Sequence, residues 1–291
     1  MSENAIGWLF AGPWIVGFVC FTAGPMAAAF VISFLNWSVA GSPTWAGLGN
    51  YQAMVHDPLF YNALRVTSVY ALVAVPAQTV VALLLAMLIN NKAPTMGIFR
   101  TIFYFPSVLP LAAVALIFSW VFNPEWGVIN GLLGLVHIPG PPWLSSPAWA
   151  LPTLILMSLW HVGVGMVIFL AGLQAVPKEL LESASIDGAR WLRRTLAVTV
   201  PMVSPIIFFQ VLINLITSLQ VFVQPYIMTG GGPAYATTFL LLYIYQNAFQ
   251  FSRMGYASAL SWVLFLYSAL ITLLALRLSR NLVHYEVQVN R

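Results

Sequence analysis

Long charge-free runs separated by short polar breaks organise this chain. Residues 4–56, 66–91, 101–124, 126–177, 195–252 and 254–276 contain no Asp, Glu, Lys or Arg. A bilayer core about 30 Å thick is crossed by roughly 20 apolar helical residues, so each run can supply one span. The pattern predicts an all-α, polytopic membrane protein with six transmembrane helices near 8–35, 64–90, 101–122, 149–172, 199–223 and 256–278, in one domain covering 1–291. The longest polar break, residues 177–201, predicts a short cytoplasmic helix.

Composition agrees with this class: 60% of residues are hydrophobic and 6% charged, far from a soluble domain. Lys92 and Arg100 fall in the second connection, Lys178, Arg190, Arg193 and Arg194 in the fourth, and Arg277, Arg280 and Arg291 in the tail. Only Arg65 and Arg253 fall toward the other side, so the positive-inside rule places both termini in the cytoplasm. The first span is expected to be retained, since Glu3 leads it with no Lys or Arg and its apolar run exceeds that of a secretory signal. Cys20, the single cysteine, excludes an internal disulfide. The formal net charge of +4 is a topology signal here, and no aromatic-interleaved basic surface points to nucleic acid.

The connections carry their own signals. Asn50 to Phe60 mixes aromatic and polar residues, as expected of a segment along the outer interface. Asn123 to Gly127 and Pro139 to Trp143 read as a turn-rich outer loop. Pro76, Pro106, Pro110, Pro152, Pro205 and Pro225 fall in or beside helices, where they kink or break them.

Several chemistries are excluded. Ion-coupled carriers place ionisable residues inside the membrane, and the expected spans hold no Asp, Glu, Lys or Arg apart from Arg65 and Arg277 at two span ends. His161 stands by itself mid-helix, which suits hydrogen-bonded packing better than a proton relay. No lysine stands in a phosphate-cradling G-x-x-x-x-G-K-[ST] loop; Thr229-Gly230-Gly231-Gly232-Pro233 lacks the lysine and is expected on the outer side. No metal-ligand spacing, catalytic set or bound cofactor is evident.

What remains within the spans is neutral. Ser158 and His161 are three apart, and Asn214, Thr217 and Ser218 follow i, i+3, i+4, so each set shares one helix face. Such faces suit a polyhydroxylated solute; equally, such residues hydrogen-bond one helix to another.

The polar break reads as a docking element. Pro177 suits a helix start, Glu179 and Glu182 its positive end, and Gly188 its stop. A helix of about ten residues is unstable alone in water and needs a surface to hold it. Here the chain resembles the permease subunits of ATP-binding-cassette importers, in the carbohydrate-uptake group of maltose-type and glycerol-phosphate-type permeases. Their signature E-A-A-x-x-D-G-A is matched by Glu182-Ser183-Ala184-Ser185-Ile186-Asp187-Gly188-Ala189, followed by Val198-Thr199-Val200-Pro201. Ser183 replaces an alanine, and Thr195 stands where phenylalanine is usual. Asn50-Tyr51, Tyr104-Phe105-Pro106, Thr229 to Pro233 and Met254 to Ala259 extend the similarity over nearly the whole chain.

The resemblance implies that Glu182, Ser183, Ala184, Asp187, Gly188 and Ala189 form the helix that couples to an ATPase subunit. It implies substrate contacts at the positions held here by Ser158, His161, Gly165, Asn214, Thr217, Ser218 and Val221. It also implies a second, similar permease, two ATPase subunits that bind the ATP and Mg, an extracytoplasmic solute-binding protein and a sugar-like solute, in a bacterial or archaeal plasma membrane. Within that class another solute, such as a glycerol-phosphodiester or an amino acid, is the alternative. An autonomous facilitator or a membrane scaffold fits the missing charges but not the docking helix.

Overall fold

A computed structural model describes residues 3–38, 41–90 and 96–279, with side chains from residue 10 onward; Lys92, Arg280 and Arg291 lie outside the described residues. The described chain is mostly helical, its one strand pair being Leu35–Asn36 antiparallel to Thr44–Trp45 with Leu35 opposite Trp45. Four segments are long and apolar enough to cross a membrane unbroken: Phe10–Ile32, Pro58–Ile89, Ser204–Met228 and Met254–Ser279. Two further segments are bent pairs, which makes six where each pair counts as one span. Leu72, Leu88, Phe21 and Leu278 are among many exposed apolar side chains, as an exterior facing lipid requires.

The two bends differ from the continuous helices expected over 101–122 and 149–172. In the first, α5 (Met96–Tyr104) passes through a tight turn, Phe105–Val108, and meets α6 (Leu111–Val121) at 98°. Leu109 is extended, at φ −73 and ψ 139, because the ring of Pro110 disfavours helix in the residue before it. In the second, α8 (Pro147–Ser158) turns through Leu159–His161 into α9 (Gly163–Ala175) at 49°. Gly163 sits at this corner. A side chain there would lie 2.6 Å from the Phe103 carbonyl oxygen and 2.9 Å from Tyr104 Cα, so the bare backbone lets the two corners touch.

By internal contacts the chain forms two units, Asn62–Leu240 with Ser268–Arg291, and Met1–Tyr61 with Leu241–Tyr267. In the first, Ala82, Ala86 and Ile89 of the long helix α4 (Pro58–Ile89) pack against Met166, Phe169 and Leu173 of α9. Alanines on that seam let the backbones approach closely, as in membrane helix pairs generally. Ile206 of α13 (Ser204–Leu219) fills the space beside Gly172, where a Cβ would lie 2.3 Å from its Cδ1.

Within the other unit, the Asp57 carboxylate is the knot. Oδ2 accepts from the hydroxyls of Tyr243 at 2.5 Å and Tyr256 at 2.6 Å, and Oδ1 accepts from the Leu59 amide at 2.9 Å. Burial by itself raises the carboxyl, but the two tyrosines and the amides of Leu59 and Phe60 outweigh it and hold Asp57 below the ordinary carboxylate value. Asn50 donates to the carbonyls of Ser33 and Leu35 at 2.8 and 2.9 Å. Gly255 lies so close to Leu35 that a Cβ would fall 1.9 Å from its carbonyl oxygen. The motifs Asn50-Tyr51 and Met254 to Ala259 thus meet as one joint.

The glycine-rich stretch is more ordered than a free loop. Gly230 and Gly231 take φ of 60 and 94, conformations that glycine adopts without a Cβ penalty. Thr237 and Thr238 then close the turn on the carbonyls of Gly232 and Gly231 at 2.7 and 2.9 Å.

Candidate functional site

Two adjoining cavities open among α4, the α8–α9 corner and α13. One of about 270 Å³ is lined by Tyr70, Gln78, Ser158, His161, Ser218 and Val221 among others. The other, of about 250 Å³, is lined by Gln78, His161, Gly165, Gln210, Asn214 and Thr217 among others. Gln78, Ser158, His161 and Thr217 border both. All seven residues expected to touch solute, Ser158, His161, Gly165, Asn214, Thr217, Ser218 and Val221, are therefore brought together on these walls. The lining holds no Asp, Glu, Lys or Arg among the described residues, so it offers hydrogen bonds and shape rather than formal charge.

Local geometry decides which polar atoms stay available. Ser158 Oγ donates to the Ile155 carbonyl at 2.6 Å, and Thr217 Oγ1 donates to the Ile213 carbonyl at 3.0 Å. Both hydroxyl hydrogens turn back onto their own helices; the Ser158 oxygen is also engaged with the Tyr70 hydroxyl, whereas the Thr217 oxygen keeps acceptor capacity. Asn214 Oδ1 accepts from Gln210 Nε2 at 3.0 Å. His161 stands in the tight turn between α8 and α9, where the bend puts it on both walls.

Tyr70, Gln78, Gln210 and Gln224 are further polar wall residues that the sequence reading did not select. Gln210 lies one helical turn before Asn214, so carrying the i, i+4 pattern one step back finds it. Gln78 is a single amide in the long apolar run of α4, two residues after Pro76; its isolation was the available signal. Tyr70 and Gln224 lie in stretches whose pattern offers no comparable mark.

The polar break forms a second surface. Helix α10 (Lys178–Ile186) begins one residue after Pro177, which is extended at ψ 131 rather than the first helical residue expected. It ends on a Schellman motif: the Gly188 amide donates to Ser185 O at 3.1 Å and the Ala189 amide to Ala184 O at 3.0 Å. Gly188 takes φ +77, with nothing within 4 Å of an ideal Cβ. Arg194, on the turn Trp191–Arg194 (α11), donates from Nη1 to Ser185 Oγ at 2.9 Å and ties the two pieces. Glu182, Ser183, Asp187 and Gly188 are exposed and Ala184 and Ala189 half-buried. Ile186 is 85% and Trp191 61% exposed, an apolar display without a covering element among the described residues.

Comparison with known proteins places the chain. Residues 78–284 match the family described as "Binding-protein-dependent transport system inner membrane component". The chain is 41% identical over 290 residues to the probable ABC transporter permease protein YesP of Bacillus subtilis (strain 168), covering 98% of this chain and 94% of that one. It is 38% identical over 260 residues to the sulfoquinovosyl glycerol transport system permease protein SmoG of Agrobacterium fabrum (strain C58), covering 88% and 84%. Among solved structures, a chain of a bacterial alginate ABC transporter, crystallised with an alginate pentasaccharide-bound periplasmic protein, superposes with a TM-score of 0.85 over 96% of each chain at 23% identity. That likeness is one of fold, and it carries the all-α polytopic architecture. With 207 of its residues inside the family's match and a relative aligned along nearly its whole length, this chain belongs to the binding-protein-dependent transport system inner membrane components, the permease family that its sequence resembles.

Proposed function

We propose that this chain is the permease subunit of an ATP-driven, binding-protein-dependent importer for a sugar or sugar-like solute. The observation that carries the reading is continuity of the chain: α10 lies between α9, which supplies Gly165 and follows directly on the corner bearing Ser158 and His161, and α13, which bears Gln210, Asn214, Thr217 and Ser218. Only Val176 and Pro177 separate α9 from α10. A displacement of α10 by a partner therefore acts directly on the walls of the cavities.

Glu182 to Ala189 docks on an ATPase subunit, with Ile186 and Trp191 as the apolar contacts. ATP and Mg are bound there, in separate subunits, since this sequence offers no phosphate-cradling loop. A second permease completes the pathway, and a solute-binding protein delivers from outside. ATPase closure draws the two α10 helices together and opens the pathway outward; release after hydrolysis opens it inward. Ser158, His161, Gly165, Asn214, Thr217, Ser218 and Val221 contact the solute. Both termini lie in the cytoplasm, by the basic-residue count. The sugar class is supported by the glycosyl solute in SmoG's name and by the uncharged, hydrogen-bonding walls.

Cross-linking tests the docking half. In a Cys20→Ser background, Ile186→Cys carrying a short photoactivatable linker should capture the co-expressed ATPase subunit. The same label at Phe21→Cys, on the apolar exterior, should not. Equal capture from both positions, or none from Ile186→Cys in an assembly that purifies intact, contradicts the assignment.

A further inference from the structure

Gln210 holds a polar atom that the protein does not satisfy. The residue is 6% exposed, its Nε2 donates to Asn214 Oδ1 at 3.0 Å, and its Oε1 is buried with no hydrogen-bond partner among the described residues. Exchanging the two amide atoms does not remove the difficulty, since whichever atom faces Asn214 leaves the other unpaired. Buried amide atoms are nearly always paired, and an orphan is destabilising. A partner from outside the chain is what the site lacks.

The surroundings show where such a partner enters. Gln210 borders the second cavity, with Gln78 of α4 on the same wall. A Cβ on Gly165 would lie 3.1 Å from Gln210 Nε2, 3.3 Å from its Cδ and 3.4 Å from Ala82 Cβ. Beside Gly165 the cavity is therefore bordered by bare α9 backbone, one alanine and the nitrogen side of the Gln210 amide. A hydroxyl group both donates and accepts, so it satisfies the free atom in either amide orientation.

We propose that Gln210 is a specificity-determining residue: its unpaired amide atom hydrogen-bonds one hydroxyl of the passing solute, and Gly165 leaves the amide group the room to turn toward it. The claim rests on the sugar-permease reading and deepens it by naming the atom that reads a hydroxyl.

The test uses the complete transporter in proteoliposomes and three labelled probes, maltose, lactose and raffinose. Monodeoxy analogues of whichever probe is moved follow. Wild type should prefer the parent over one monodeoxy analogue by at least about tenfold in kcat/KM, because a site built for a hydroxyl rejects its absence. Gln210→Met keeps length and loses both amide atoms. It should lower kcat/KM for the parent about tenfold and bring the parent-to-deoxy ratio for that one position near unity. Gly165→Ala, which crowds the amide without removing it, should fall between the two. Thermal unfolding of Gln210→Met should be unchanged or shifted upward, since the orphan atom is gone. A ratio that Gln210→Met leaves unchanged overturns the proposal, as does a Met variant that unfolds at lower temperature while parent and deoxy probes fall equally. If wild type moves none of the three sugars, the unfolding comparison decides: a Gln210→Met variant that unfolds at lower temperature makes Gln210 a packing residue and overturns the proposal.

Discussion

Gly188 offers a test that separates backbone strain from crowding. It closes α10 in the left-handed region at φ +77, and an ideal Cβ there meets nothing within 4 Å. Within this chain the cost of a side chain is therefore conformational, about 1–2 kcal/mol for an ordinary L-residue and less for Asn, which enters that region more readily. Such a cost lowers the population of the closed Schellman cap roughly 5- to 30-fold. ATP-driven uptake and ATP hydrolysis would be measured side by side for Gly188→Asn, Gly188→Ala and Gly188→Val in the assembled transporter. Strain predicts that uptake per ATP hydrolysed falls in the order Gly, Asn, Ala, Val, the β-branched residue being worst. Crowding by a docked partner predicts an order by side-chain size, with Ala the mildest and Asn near Val. If Ala outperforms Asn, the conformational account of this glycine is wrong.

Other outcomes follow from the same geometry. Gly255→Ala puts a methyl 1.9 Å from the Leu35 carbonyl oxygen, so the folded subunit should be lost, seen as failed recovery from detergent, while Gly97→Ala, with open space around it, should be recovered normally. Asp57 titrates below its ordinary value of 3.8. Its contribution to stability is therefore full above that value and lost as pH falls through the lowered one, and Asp57→Asn should flatten that acid limb in pH-dependent unfolding. Tyr243, pushed by burial and then by Asp57 from 10.0 up to about 12, contributes stability that is full below pH 10.0 and lost as pH rises toward about 12; Tyr243→Phe should remove that alkaline loss. Asn214→Leu should weaken uptake by about 0.5–1.5 kcal/mol, roughly 2- to 13-fold in kcat/KM, for the loss of one neutral hydrogen bond; unchanged kinetics with failed assembly would assign Asn214 to helix packing.

Much of this fold was legible because lipid imposes strict rules on sequence. Charge-free runs had to be helices, and the i, i+3, i+4 spacing of Asn214, Thr217 and Ser218 put them on one wall. Gly188 was readable as a stop because few other residues take that backbone. The corners at Leu109 and Val162 were less so. Prolines marked the first, but the second lies ten residues after Pro152 and depends on Gly163 meeting the Phe103–Tyr104 backbone, a contact between distant segments. The expected spans left the stretch between 223 and 256 without elements because its helices, Val223–Met228 and Leu240–Tyr245, are only six residues each; threonine and asparagine side chains close there on the backbone. Gln78 escaped because a single amide in an apolar run has no periodic partner until the helices are placed side by side, whereas Gln210 was within reach of the i, i+4 pattern that marked Asn214.

Vesicle uptake shows whether ATP hydrolysis by partner subunits drives a sugar through this chain. The chain would be co-reconstituted with its partner permease, ATPase subunits and loaded binding protein, with ATP or a non-hydrolysable analogue on the ATPase side. Labelled maltose, lactose or raffinose should accumulate against its gradient with ATP, and not with the analogue or with Asp187→Lys in the docking helix. Equal downhill equilibration with and without ATP, or accumulation undiminished by Asp187→Lys, would contradict the account.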